Sequence, residues 1–318
     1  MPQLGDADAI DTTMTMRRFA VLLTLLCLLF ALPAASASAS RPGLASATRT
    51  IDRDVVSLAS DRDRDAVWGT LAGRIGTYDG KSGKLHHVVL ATPCPTPVIS
   101  DVRGGEAIVI CSPSSPLLLR LRTGTATVLG APWVTGQSTP QTIGKRWIRG
   151  IVECSASSHL CDQYVDRSTG AASVRPRSAA VYDLDLASRP RVERCANATG
   201  DFATMTSAWP WYVTGGGSDP VWLGRCGHGK VLLTKDSETY GVAVGPDYAI
   251  WHDPSSVGVR DLAGRRTLRW QPAGVIGDAV TAGRHLLIAD EQDDDLPRVG
   301  YVANLLFATI PATRNARR

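Results

Sequence analysis

An apolar burst preceded by a short loop recurs six times along this chain, at Ala66-Val67-Trp68, Ala107-Ile108-Val109, Trp147-Ile148, Trp211-Tyr212-Val213, Ala249-Ile250-Trp251 and Leu286-Leu287-Ile288. With Val67, Ile108, Ile148, Tyr212, Ile250 and Leu287 as equivalent anchors, the separations are 41, 40, 64, 38 and 37 residues. A repeat near 40 residues is the length of one four-stranded antiparallel meander, and such units bury their faces only by stacking on copies of themselves. Within the first repeat, Val55 to Leu58, Ala66 to Thr70, Arg74 to Tyr78 and Leu85 to Leu90 are short apolar or β-branched runs separated by Gly, Asp or Ser. No 3.6-residue periodicity is sustained after residue 41, and 30 glycines and 19 prolines interrupt nearly every apolar run before helical length.

These observations predict an all-β fold, a six-bladed β-propeller of four-stranded antiparallel blades over residues 40–310, with two packed sandwiches as the alternative. The long interval predicts an insertion at 155–177, between the second and third strands of the third repeat. The turn Asp79-Gly80-Lys81-Ser82-Gly83-Lys84 is built for tight reversal, because Asp79 can accept from amides two residues on and glycine takes positive φ freely. Gly245-Pro246-Asp247-Tyr248-Ala249-Ile250-Trp251 resembles the turn-plus-strand signature of TolB-like six-bladed propellers. Ile75-Gly76-Thr77-Tyr78-Asp79 with Ser82-Gly83-Lys84 is similar to the strand signature of YVTN-type propellers. The resemblance implies architecture and no particular activity, since such scaffolds carry many functions.

The N-terminus reads as an export signal over residues 1–39. Arg17-Arg18 precede the apolar run Phe19 to Leu32, and small residues around Ala35 to Ala39 suit a signal peptidase. Residues 1–13 read as an over-called start. Loss of Cys27 with the signal leaves Cys94, Cys111, Cys154, Cys161, Cys195 and Cys226, an even set suited to an oxidising, extracellular compartment. Loop geometry pairs Cys94 with Cys111 and Cys154 with Cys161. Cys195 then falls to Cys226 by elimination, although the predicted strands put these two on opposite faces.

The formal charge of +4 is small, and acids alternate with bases, as in Asp61-Arg62-Asp63-Arg64-Asp65, which gives no basic footprint for nucleic acid. The mature form carries no membrane span, residues 311–318 read as a solvated tail, and a monomer is expected. In an antiparallel meander the loops between strands two and three share one face with the loops between repeats. Here those are the long ones, and Trp133, His159, Asp162, His252, Asp253, Asp290 and Glu291 are the ligand-face candidates upon them. No histidine pair has metal-ligand spacing, no C-x-x-C exists, and no nucleophile elbow occurs, so no catalytic residue, cofactor or metal ligand is assigned. The reading is a secreted, non-enzymatic binder of a protein, peptide or cell-envelope ligand. A lyase or hydrolase of a polysaccharide or small molecule, with its site scattered over several repeats, is the alternative.

Overall fold

The computed structural model describes residues 49–61, 64–111, 115–130, 133, 138–154, 160–176, 181–183, 191–193, 204–205, 211–216, 219–225, 227–235, 239, 241–244, 247–262, 267–271, 274–291 and 302–311. The export signal, the 311–318 tail beyond Pro311, His159, Cys195 and Cys226 lie outside them.

All regular structure among the described residues is strand, apart from a single helical-turn position at Trp133. The first unit comprises β1 (Arg49–Ser60), β2 (Asp65–Thr70), β3 (Ile75–Asp79) and β4 (Lys84–Val88), and the second β5 (Pro97–Arg103), β6 (Glu106–Cys111), β7 (Leu117–Arg120) and β8 (Thr125–Val128). The third holds β9 (Ser138–Ile143), β10 (Trp147–Glu153), β11 (Leu160–Asp166) and β12 (Ala172–Pro176), followed by a hairpin of β13 (Val181–Asp183) and β14 (Arg191–Glu193). Next come β15 (Thr204–Met205), β16 (Trp211–Gly216), β17 (Asp219–Arg225) and β18 (Lys230–Thr234), then β19 (Gly241–Val244), β20 (Tyr248–Asp253), β21 (Ser256–Asp261) and β22 (Thr267–Trp270). Among the described residues the last stretch supplies three strands, β23 (Val275–Ala282), β24 (His285–Glu291) and β25 (Ala303–Thr309).

The fourth strand of that last unit comes from the N-terminus. The first half of β1 pairs antiparallel with β25, from Arg49 opposite Phe307 to Val55 opposite Ala303. Its second half pairs with β2, from Val55 opposite Thr70 to Ser60 opposite Ala66. One strand therefore fuses the first and last units into a seven-stranded sheet. At the pivot, Asp54 holds φ 56°, a left-handed conformation that costs a non-glycine residue energy, and its carbonyl accepts from the Leu71 amide.

Within each unit the strands run consecutively and antiparallel, and burial falls outward: every residue of β2 is buried, whereas β8 is exposed throughout. The anchors Val67, Ile108, Ile148, Ile250 and Leu287 all fall on the second strand of their units, where both faces are covered. Side chains alternate between faces of a strand, so one strand feeds two cores. Ala66 and Trp68 enter the seam with the last unit, beside Leu305 and Phe307, while Val67 enters the seam with the second unit, beside Ile99 and Val109. Further seams join the second and third units through Ile108 and Ile148, and the units of β16 and β20 through Leu223 and Trp251. A fifth joins those of β20 and β24 through Ile250 and Ile288. A core divided among seams between successive sheets, with no crossover within a unit, replaces the sandwich alternative.

Two of the tryptophans show why particular glycines stand where they do. Trp68 lies opposite Gly76, and Trp251 opposite Gly258, each indole lying flat over the glycine of the neighbouring strand. A Cβ on either glycine would collide with the ring. Gly258→Ala is therefore expected to lower stability by about 1–3 kcal/mol through overpacking, measurable as a drop in thermal midpoint, and Gly76→Ala to do the same.

The expected insertion at 155–177 is corrected by the structure. Leu160–Asp166 pairs with β10 along its whole length and Ala172–Pro176 pairs with β11, so these residues are the third and fourth strands of the third unit. The extra length of the long interval follows β12, where the β13–β14 hairpin stands apart as its own two-stranded sheet.

Candidate functional site

Two disulfides brace the face that carries the long loops. Cys94 bonds Cys111, with Cα atoms 5.1 Å apart, tying the β4–β5 connection to the end of β6 inside the first seam. Cys154 bonds Cys161 at 5.3 Å, closing the β10–β11 hairpin. Both pairings are those read from the sequence.

Three of the seven expected ligand-face residues, Trp133, Asp162 and Asp253, make contacts that hold the scaffold. Trp133 is buried between the second and third units, with its ring over Gly150, where a Cβ would strike it. Asp162 is 0% exposed and accepts from Arg149 through Nε at 3.1 Å and Nη2 at 2.7 Å. Asp253 caps the two-residue turn that follows it: one oxygen accepts from the Ser255 amide and hydroxyl, both at 2.8 Å, and the other from the Ser256 hydroxyl at 2.5 Å. Burial pushes the Asp253 carboxyl up, but the serine hydroxyls and amides outweigh it and leave the group below its ordinary value.

His252 and Asp290 lie on the strand faces of β20 and β24 that share one seam, with Asp253 in the turn beside it. The Ile276 amide donates to the Pro254 carbonyl at 2.8 Å, and Asp290 stands opposite Ile276 in the β23–β24 ladder. Asp290 is buried, with one oxygen against Gly274, a position with no room for a Cβ. Glu291, at the end of β24, is half-buried opposite Val275 and Ala303.

The seam also holds a residue that loop-based reasoning passes over. Asp278 lies mid-strand, and its Oδ1 is 3.7 Å from His252 Nε2 while accepting from the Ala279 amide at 2.7 Å. A register shift between Ile276 and Asp278 leaves Gly277 as a bulge. The innermost strands β1, β5 and β9 carry the same shift, at Val56, Ser100 and Gln141. In the second unit the residue after that bulge, Asp101, accepts from the Ile143 amide of the next unit at 2.7 Å. Gly-Asp inside an apolar run is the sequence signal that marks such a position.

Burial drives the pair toward opposite protonation preferences. It pushes the Asp278 carboxyl up to about 6 and the His252 imidazole down. His252 Nδ1 is buried with no hydrogen-bond partner among the described residues. At neutral pH the imidazole is uncharged and the carboxyl largely ionised, an arrangement able to accept a hydrogen bond or exchange one proton. Among the described residues no group of three or more His, Cys, Asp or Glu side chains is placed to hold a metal ion, and no helix is long and apolar enough to cross a membrane.

No protein-family model matches the chain, and comparison with curated proteins finds no match. Among solved structures, the chain is similar to BamB from Moraxella catarrhalis at 15% identity, over 80% of this chain and 85% of that one, with a TM-score of 0.39. It is similar to the Pan2 WD40 domain from Neurospora crassa at 15% identity, over 82% and 90%, with a TM-score of 0.49. U3-55K aligns at 11% identity over 83% and 99%, with a TM-score of 0.48. The architecture rests on the chain's own topology: successive four-stranded meanders, cores in the seams between them, and a first strand that completes the last sheet describe a β-propeller.

Proposed function

We propose that this chain is an exported, monomeric six-bladed β-propeller that binds a protein, peptide or cell-envelope ligand through its long-loop face, without chemistry of its own. The six blades are the units begun by β1, β5, β9, β15, β19 and β23, the last completed by β1. The observation that carries the binding role is the bracing of that face. Both disulfides sit there, and Asp162, Asp253 and Trp133 are spent on holding its strands and turns in place. Loops fixed before binding lose little entropy on contact, which favours recognition. The test is capture of ligand from the producing organism's envelope by the mature protein, compared with a variant whose residues 292–297 are replaced by Gly and Ser. Loss of the captured species at unchanged melting temperature supports the reading; undiminished capture after every long loop has been replaced in turn defeats it.

One observation favours catalysis as the second reading, the His252–Asp278 pair. His252→Gln and Asp278→Asn each abolishing turnover of a polysaccharide or small-molecule substrate, with folding intact, would establish it.

Export has its own expected result. Mass spectrometry of secreted protein should place the N-terminus between Ser36 and Arg41, and retention of Phe19 to Leu32 would overturn cleavage.

A further inference from the structure

A cleft of about 1090 Å³ opens between the first and second units on the tight-turn side, away from the long loops. One wall is β4 with the β3–β4 turn; the other is the Gly104-Gly105 turn with the segment from Arg120 to Gly124. Basic residues line both walls, Lys84 and His86 on the β4 face shared with Val88, and Arg120 and Arg122 across from them.

The acids in the cleft are already engaged. Asp79 accepts from the amides of Lys81 at 2.9 Å and Ser82 at 3.3 Å, from the Ser82 hydroxyl at 2.9 Å and from Arg64 at 3.4 Å. Glu106 takes Arg167 at 2.6 Å and lies 3.9 Å from Arg120. Asp61 accepts from the amides of Arg64 and Asp65 at 2.7 and 2.6 Å. Burial first, and the nearby Asp61 second, push the Asp65 carboxyl up to about 6, with Arg64 3.7 Å away in partial compensation. By contrast, the side chains of Lys84, His86, His87 and Arg122 are exposed and have no hydrogen-bond or ion-pair partner among the described residues.

We propose that this cleft is an anion-binding site for a ligand carrying two or more carboxylate or phosphate groups that bridge β4 and the β7–β8 turn. Unneutralised bases facing one another across a concave surface focus positive potential into it, and a ligand with an anionic group for each wall engages both. Arg122 offers a fork for bidentate contact and Lys84 a point charge opposite. The Gly104-Gly105 turn keeps the mouth open: both glycines have positive φ, and a Cβ on either would meet nothing within 4 Å. The site is independent of the long-loop face.

Calorimetric titration of the full chain in about 50 mM salt, a concentration that leaves surface charges weakly screened, tests the proposal with hexaglutamate as the carboxylate probe and tripolyphosphate as the phosphate probe. Binding of at least one is expected, weakening as salt rises. The Lys84→Gln/Arg122→Gln double variant should lose roughly tenfold or more in affinity, the size of one to two lost charged contacts. Arg175→Gln, on β12, should bind as the parent does. Binding of one probe alone identifies the chemical source. Should the double variant melt at lower temperature, the two single variants carry the comparison. Binding of neither probe, or an equal loss in Arg175→Gln, overturns the site.

Discussion

Deletion of residues 41–56 is expected to abolish cooperative thermal unfolding. The segment contributes Arg49 to Val56, which supply the whole outer pairing of β25 and the start of the pairing with β2. Its loss uncovers Leu305, Phe307 and Ala303 at the closing seam and removes Val55 and Ile51 from it. Asp52 goes with it, leaving the Trp68 indole N–H without the acceptor it now has at 2.7 Å and Arg74 without the carboxylate at 3.6 Å. Tyr78 and Phe307, whose rings meet edge-on at 5.1 Å, would lose the Arg49 guanidinium that lies over Phe307 at 5.3 Å. At about 1.5–3 kcal/mol for each large side chain returned to water, the loss is on the order of the 5–15 kcal/mol that holds a typical domain together. An unpaired β25 would also be a free strand edge, open to association with other chains. Circular dichroism on heating decides the matter, and a melting temperature equal to that of the parent would refute closure through a shared strand.

Much of this construction was legible beforehand, for identifiable reasons. Strands buried on both faces read as unbroken apolar bursts, so the second strands stood out and the repeat followed from them. The two disulfides were legible because strand order places their cysteines at one end of adjacent strands. The third unit escaped because β11 breaks the pattern from within: Asp162 and Gln163 are both buried, and period-2 reading takes Asp-Gln as a loop. A better signal was present nearby. Asp166-Arg167-Ser168-Thr169-Gly170 repeats the turn chemistry of Asp79 to Gly83, with the aspartate accepting from the Ser168 amide at 2.9 Å and both glycines at positive φ. Trp133 was read as a loop residue open to ligand because a sequence does not show which glycine on a neighbouring strand, here Gly150, leaves space for an indole. Asp278 was missed because a bulge re-aims a strand residue without changing composition.

The same buried aspartate that hid β11 gives the second large expected effect. Asp162 sits at 0% exposure in the third unit's third strand, held by two hydrogen bonds from Arg149 on β10. Taking a carboxylate out of water costs several kcal/mol, and the close guanidinium offsets much of it. Arg149→Ala should therefore destabilise the protein by about 3–5 kcal/mol, because it takes the two guanidinium hydrogen bonds from a buried charge; in a domain of this size that lowers the melting temperature on the order of 10 °C. Replacement of both partners, Arg149→Met with Asp162→Leu, removes the charge and its need for a partner together, and is expected to cost much less than Arg149→Ala alone. A double variant less stable than Arg149→Ala would show that the pair stabilises the fold in its own right. The comparison bears directly on residues 157–173, which an insertion would have made expendable: with Leu160–Asp166 paired along the whole of β10, excising them removes Asp162 from beside Arg149 and breaks the Cys154–Cys161 bridge, so that variant is expected not to fold.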